Sequence, residues 1–557
     1  MKNENQKLKI IPLGGAGSVT KNMFVYESEK DIVVVDCGMG FPDESMLGVD
    51  LVIPDISYLL ERRKKVRGIV ITHGHEDHMG ALPYILPQLN VPVFGTRLTM
   101  GLIEVKLKEH QLLKKVRLQT VNMDQQLQLG DFHLSFFAVC HSIQDAMGII
   151  LKTPVGIIVH AADYKFDWTP VDGQTFEVEK LAILKKQGGI KVLLSDCLRI
   201  EKEGYTLSEK AIGEAFDRET EKASGRVMIT TFSSNISRIQ QAAEVAAKHH
   251  RYLVLVGRSV EQNVEVARKL GYLRFPAGIL VKVDQIKGVA PQKLMLIVAG
   301  SQGQSGSAMV RIANRDHRFV RITEGDTVIF ASDPIPGYSD GVYNLIDRLS
   351  DQGANVIYSE ITDDVHVSGH ASKQELALML GLTKPEYLIP IGGLLRHQKH
   401  LALLAQEMGM PKDHAFILKE GDAVELGPNW AAKVAEKVSV SDVMVDGTGI
   451  GDVGEIVLRD RQVLAEEGIF VVIINLDKKT GKLVHPPDII SRGFVFMKES
   501  EDLIARSQKI VEQVIAEHSQ KQAEKGFIRR KIIDGLERFL YGQTERRPMV
   551  LPVIIEL

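Results

Sequence analysis

The chain has 557 residues, 44% of them hydrophobic and 25% charged, and a net charge of −3 at neutral pH. That length exceeds a single hydrophobic core and implies about three or four domains of ordinary globular composition. The charge excludes a surface that is basic overall, so a polyanion must be held by a local groove; three cysteines exclude a disulfide framework and fit a reducing cytoplasm.

The N-terminal part alternates short strands with glycine turns, and residues 10–15, 22–26, 31–36, 66–71, 132–139, 156–161 and 191–196 read as strands. From Thr206 the style changes. Helices over 208–221, 237–249 and 260–270 alternate with strands over 226–231, 252–256 and 294–298, a doubly wound pattern of its own. From about Asn355 the first style returns, with strands over 356–360 and 387–391 and helices over 373–380 and 397–407. An insertion that splits the first domain accounts for this. The last unit reads as strands over 455–458 and 470–476, helices over 501–518 and 527–541, and a strand over 549–556. The expected divisions are therefore 1–205 and 353–421 for the split domain, 206–352 for the insertion, 422–449 for a linker and 450–557 for the last unit. Residues 1–9 lack the apolar core of a signal peptide, and no stretch supplies the roughly 20 apolar residues of a membrane helix. A cytoplasmic protein without a membrane partner is expected.

His73-Gly74-His75-Glu76-Asp77-His78 follows the apolar run 68–71. Three imidazoles and two carboxylates in six residues point to divalent metal. A surface loop rich in histidine is the bland alternative, but only 17 histidines occur in the whole chain. On an extended chain alternate side chains share a side, which groups His73, His75 and Asp77 and sends His78 at another angle. That suits two adjacent ions, and imidazole with carboxylate favours zinc or manganese over calcium.

Two later residues join this motif. His141 closes a strand in Val139-Cys140-His141-Ser142-Ile143, and Asp163 closes another in Val159-His160-Ala161-Ala162-Asp163-Tyr164. The succession resembles the metallo-β-lactamase superfamily. That resemblance implies His73, His75 and His141 on one metal, Asp77 and His78 on the other, and Asp163 between them. Two ions about 3.5–4 Å apart activate water and stabilise attacking and leaving oxygens. Asp196, at the end of the strand before the insertion, and His366-Val367-Ser368-Gly369-His370-Ala371-Ser372 after it resemble the β-CASP nucleases.

Several stretches are similar to bacterial ribonuclease J: Leu13-Gly14-Gly15, Lys21-Asn22-Met23, Asp163-Tyr164-Lys165-Phe166-Asp167, Thr231-Phe232-Ser233-Ser234-Asn235 and Pro334-Ile335-Pro336-Gly337. The resemblance implies an α/β fold: a metallo-β-lactamase αββα sandwich split by an inserted β-CASP α/β domain, plus a small C-terminal α/β domain that supports dimerisation. It implies an RNase acting on single-stranded RNA 5′-to-3′ from a 5′-monophosphate, and also internally, in rRNA maturation and mRNA decay. His370 would be the general acid, Asp196 would orient it, and Asp77 would serve catalysis as a ligand. Ser233, Ser234, Asn235, His366, Val367, Ser368, Gly369 and His370 would cradle the terminal phosphate and first nucleotide. Gly300-Ser301-Gln302-Gly303-Gln304 would line the inserted domain, and Arg311, Arg315, Arg318 and Arg321 read as RNA-steering residues or as a solvated helix face.

The pattern breaks at Ile389-Pro390-Ile391-Gly392-Gly393-Leu394. Gly392 stands where the family closes its second metal site with a histidine, and glycine has no side chain to offer. A weak second site is expected, with His397 and His400 as remote substitutes. Cys197-Leu198 also departs from the family's Ser-Thr. The combination resembles the less active of two ribonuclease J paralogues in Gram-positive bacteria. It implies either a slow metal-dependent RNase or a mainly non-catalytic RNA-binding subunit, as a homodimer or in complex with an active paralogue. A thioesterase or lactamase would not need Asp196 and His370 flanking a large insertion.

Overall fold

The computed structural model describes residues 6–335, 339–427, 432–495, 500–518 and 525–557, so Pro336 and Gly337 lie outside the described residues. Two compact units divide the chain: residues 1–41 with 52–443, and 42–51 with 444–557.

The first unit is built on two facing sheets. One has eight strands, ordered Lys433–Val434, Val424–Leu426, Leu8–Gly14, Met23–Glu27, Ile32–Val35, Val66–Val70, Val93–Gly95 and Leu118–Thr120. The other has six: Tyr387–Ile391, Ile190–Asp196, Gly156–His160, Met147–Thr153, Phe132–Ala138 and Gln126–Leu129. Ile10, Phe24, Val33 and Val35 of the first sheet meet Leu134, Phe136, Ile149 and Leu194 of the second in one apolar layer. The run Ile32–Val35 is buried on both faces, which is why it reads as unbroken β-branched residues rather than an alternation. Helices Val178–Leu184, Lys373–Thr383 and Leu395–Glu407 cover the outer face of the six-stranded sheet through Leu181, Leu376, Met379 and Leu401. Helix Arg97–Glu109 packs beside strands Val93–Gly95 and Leu118–Thr120.

The inserted domain is a parallel sheet ordered Leu280–Val281, Tyr252–Val256, Leu294–Val298, Val227–Thr230, Thr327–Phe330 and Asn355–Ile357. The last of these, expected to reopen the split domain, pairs with Thr327–Phe330 and completes the inserted sheet. Residues 424–426 and 433–434, expected in a linker, are strands of the eight-stranded sheet because Val424 and Leu426 are apolar enough to be buried there.

In the second unit, strands Asp488–Arg492, Ile469–Leu476 and Met549–Glu556 form one sheet. Helices Glu501–His518 and Lys525–Thr544 cover one of its faces, where Phe470, Val472 and Ile474 meet Val511, Ile532 and Leu536. Residues 455–458, expected as a strand, open helix Glu455–Glu466 instead. The apolar run Ile456-Val457-Leu458 is short, and the helix formers that follow it extend the turn.

Two buried groups tie the insertion to the sandwich. Glu375 accepts hydrogen bonds from the backbone N–H of Phe166 (2.8 Å), Thr206 (2.7 Å) and Ser372 (2.8 Å), which belong to three separate segments. Arg238, on helix Ile236–Lys248, donates to both carboxylate oxygens of Glu209 and to the carbonyls of Ala331 and Val367. Lys165 lies 3.8 Å from Asp167 and 4.0 Å from Glu209, completing a buried set of two cations and two anions. Glu375→Ala leaves three buried donors without an acceptor and should lower stability by about 3 kcal/mol or more, read as a lower thermal midpoint; an unchanged midpoint would contradict this arrangement. Arg238→Met strands Glu209 and should cost about 3–5 kcal/mol in chemical denaturation, with Arg238→Lys falling between it and wild type.

Candidate active site

The candidate residues sit where strands of both sheets end. His73 and His75 follow strand Val66–Val70. The chain does not stay extended beyond them, as the alternation of side chains supposed: helix Glu76–Met79 begins after His75, so Asp77 and His78 are presented from a helical turn. Asp163 follows strand Gly156–His160, Asp196 ends strand Ile190–Asp196, and Gly392 follows strand Tyr387–Ile391.

Imidazole nitrogens converge there. His75 Nδ1 lies 3.0 Å from His73 Nε2 and 3.1 Å from His141 Nε2. Asp163 Oδ2 lies 3.2 Å from His78 Nε2, 3.7 Å from His141 Nε2 and 3.9 Å from His73 Nε2. Asp77 approaches His78 Nε2 at 3.6 Å. The groups His73, His75, His141 and His73, His78, Asp163 each gather their donor atoms within 4.8 Å.

The rings are aimed by a second set of bonds. His141 Nδ1 donates to the Gly369 carbonyl at 2.8 Å, leaving Nε2 as a lone-pair donor into the centre. His78 Nδ1 is held by Asp36 at 2.8 Å, and His73 Nδ1 by Thr72 Oγ1 at 3.0 Å. Burial, reinforced by neighbouring imidazoles, holds His73 and His75 well below the ordinary histidine range, and burial takes His141 down to about 3. Burial opposes ionisation of Asp163, but His78 and then His370 outweigh it and hold the carboxyl well below its usual range. The neutral imidazoles of His73, His75 and His141, with nitrogens aimed at one another beside the Asp163 carboxylate, are a donor set that divalent metal fits.

Gly392 leaves one corner of this centre open. Its φ is +65°, and a Cβ built there would lie 3.6 Å from Asp163 Oδ1 and 3.7 Å from Asp196 Oδ1. A side chain at this position would therefore face the carboxylates. His397 and His400 do not fill the corner: they approach Glu201 at 3.5 and 3.3 Å. Cys197 packs its sulfur against the same turn, 3.2 Å from the Ile391 carbonyl.

His370 Nδ1 is bonded to Asp196 Oδ2 at 2.7 Å, and its ring centroid lies 5.0 Å from that of His141. Burial opposes its charge, but Asp196 and Asp163 outweigh it and raise His370 to about 9. The turn before it is fixed from the inserted domain: Arg238 donates to His366 Nδ1 at 3.1 Å as well as to the Val367 carbonyl. Ser368 Oγ accepts from the His370 N–H at 3.2 Å. Ser233 and Ser234 are half-buried at the end of strand Val227–Thr230, and Asn263 donates to Ser233 Oγ at 3.3 Å. Asn235 is fully buried and uses its carbonyl oxygen to cap helix Ile236–Lys248.

Sequence reasoning missed Asp36, Thr72, Glu209, Arg238 and Glu375 as parts of this arrangement. Asp36 had a signal: a lone carboxylate after four buried β-branched residues, in a left-handed conformation with φ 63°. Arg238 had none, because only the fold brings it to His366.

Four family descriptions match the chain. They are the metallo-beta-lactamase superfamily over residues 16–142, the ribonuclease J beta-CASP domain over 224–349, the Zn-dependent metallo-hydrolase RNA specificity domain over 357–418 and the ribonuclease J C-terminal domain over 456–557. The chain is 41% identical to "Ribonuclease J2" of Bacillus subtilis (strain 168), covering 100% of both. It is 39% identical to "Ribonuclease J 1" of Streptococcus pyogenes serotype M3, covering 98% of this chain and 97% of that one. A solved structure of a protein of unknown function from Enterococcus faecalis V583 shares the fold, with a TM-score of 0.53 at 13% identity over 75% of this chain and 100% of that one. Identity sustained over the full length, with the matched domains in this succession, makes the chain a member of the ribonuclease J family.

Proposed function

We propose that the chain is a metal-dependent ribonuclease that degrades single-stranded RNA 5′-to-3′ from a 5′-monophosphate, and also cuts internally, in rRNA maturation and mRNA decay. The observation that carries this reading is the convergence of His73, His75, His141, His78 and Asp163 beside the bonded pair His370–Asp196. His73, His75 and His141 would hold one ion, and Asp77, His78 and Asp163 the other, as zinc or manganese. Bound metal of this kind activates water and offsets charge on the reacting phosphate. His370, held charged by Asp196, donates the proton that the leaving oxygen needs. Ser233, Ser234, His366, Ser368 and Gly369 hold the 5′ end, with Arg238 fixing the turn that carries the last three. Asn235 contributes by capping the helix behind Ser234.

The open corner at Gly392 supports reduced activity, because the second site lacks one side-chain donor. It also favours a second reading, in which the chain serves chiefly as an RNA-binding subunit of a homodimer or of a complex with an active paralogue. The second unit offers a surface for that role: Ile490, Leu551 and Ile555 are each 42% exposed on strands of one sheet. A cytoplasmic site of action suits both readings.

Hydrolysis of 5′-monophosphorylated RNA by wild type should exceed that by Asp163→Ala by at least about tenfold. Equal rates would leave the subunit reading standing and end the enzymatic one. Gly392→His should raise both the metal bound per chain and the rate, despite about 1–2 kcal/mol of left-handed backbone strain. No change in either would remove the missing donor as the cause of weak activity.

A further inference from the structure

A cationic surface lies on the inserted domain, away from the turn that carries His370. Helix Ala308–Ala313 starts beside the site-facing end of strand Leu294–Val298, where the Met309 N–H reaches the Ala299 carbonyl at 3.0 Å. It runs back to the other end of the sheet, and the loop 314–326 then leads into strand Thr327–Phe330. Arg226, just before strand Val227–Thr230, fixes this loop by donating to the Arg321 carbonyl at 2.6 Å and to Asp326 at 2.9 Å. A strand of four residues separates the loop from the residues that follow Phe330, a span of about 13 Å.

Arg311, Arg315, Arg318 and Arg321 are all exposed here, and none makes an ion pair among the described residues. Asp326 is engaged by Arg226, which leaves Asp316 and Glu324 as the remaining acids of the segment. Phe319 is 43% exposed and lies between Arg318 and Arg321 in sequence, with the Arg318 guanidinium 5.0 Å from its ring centroid. The loop is held in shape: His317 Nδ1 accepts from the Val320 N–H at 3.1 Å, and Val320 is fully buried.

Guanidinium groups without ion pairs on one short segment, one of them beside an exposed aromatic ring, match a single strand, whose phosphates take the charge and whose bases stack. We propose that Arg311, Arg315, Arg318, Phe319 and Arg321 form a sequence-independent platform for the body of a single-stranded RNA whose end occupies the active site. This rests on the reading of the chain as an RNA-processing protein. On a chain of net charge −3, such a platform supplies the local basic surface that the overall composition lacks.

The test compares binding of the full chain to RNAs of roughly 4 and 30 nucleotides by fluorescence anisotropy over a range of salt. Arg315→Glu/Arg318→Glu should weaken binding of the long RNA by at least about tenfold and flatten its salt dependence by about 1–2 in log–log slope, leaving the short RNA unaffected. Phe319→Ala alone should weaken the long RNA roughly tenfold. Lys185→Glu/Lys186→Glu, a charge-matched change at exposed residues elsewhere, should do neither. An equal loss in that control, or unchanged long-RNA binding in the platform variants, would overturn the proposal. So would a change in self-association by light scattering without a change in RNA binding, which would make the surface a protein interface. Failure of wild type to bind RNA of either length would instead end the RNA reading itself.

Discussion

The Asp163 carboxylate lies within 3.9 Å of three imidazole nitrogens, two from the motif His73 to His78 and one from His141. Holding so many polar groups together in a buried place is costly unless charge balances them and each ring is fixed. Much of the sandwich serves that requirement. Strand ends from two sheets bring the donors to one level, and Asp36, Thr72 and the Gly369 carbonyl turn the rings inward. The centre is thus a property of the sheet packing as much as of the motif.

The insertion is joined to this centre by buried polar contacts rather than by apolar packing alone. Glu375 gathers three backbone segments, and Arg238 reaches from a helix of the insertion to the turn before His370. Removing either partner of such a contact leaves an uncompensated group, which makes the relative placement specific as well as stable.

Parts of the candidate site were legible in the sequence because they are written in short range: six residues carry His73 to His78, and His366 to His370 span five. Long, strongly patterned elements were equally readable, and strands Tyr252–Val256, Leu294–Val298, Tyr387–Ile391 and helix Glu501–His518 fall where periodicity placed them. What escaped was set by tertiary context. Residues 455–458 have strand-like composition but continue into a helix, and Asn355–Ile357 pairs with the inserted sheet because its neighbour in space is Thr327–Phe330. The partners of the Arg238 guanidinium are 29 to 129 residues away, beyond any local pattern.

That network also limits how the fold can be recombined. Lys165 and Asp167 belong to the sandwich, while Glu209 and Arg238 lie within the inserted segment. An inserted domain transplanted from a relative would have to bring a cation and an anion matched to the resident pair. A mismatched graft would lose the bonds by which Arg238 holds the turn that carries His366 and Val367.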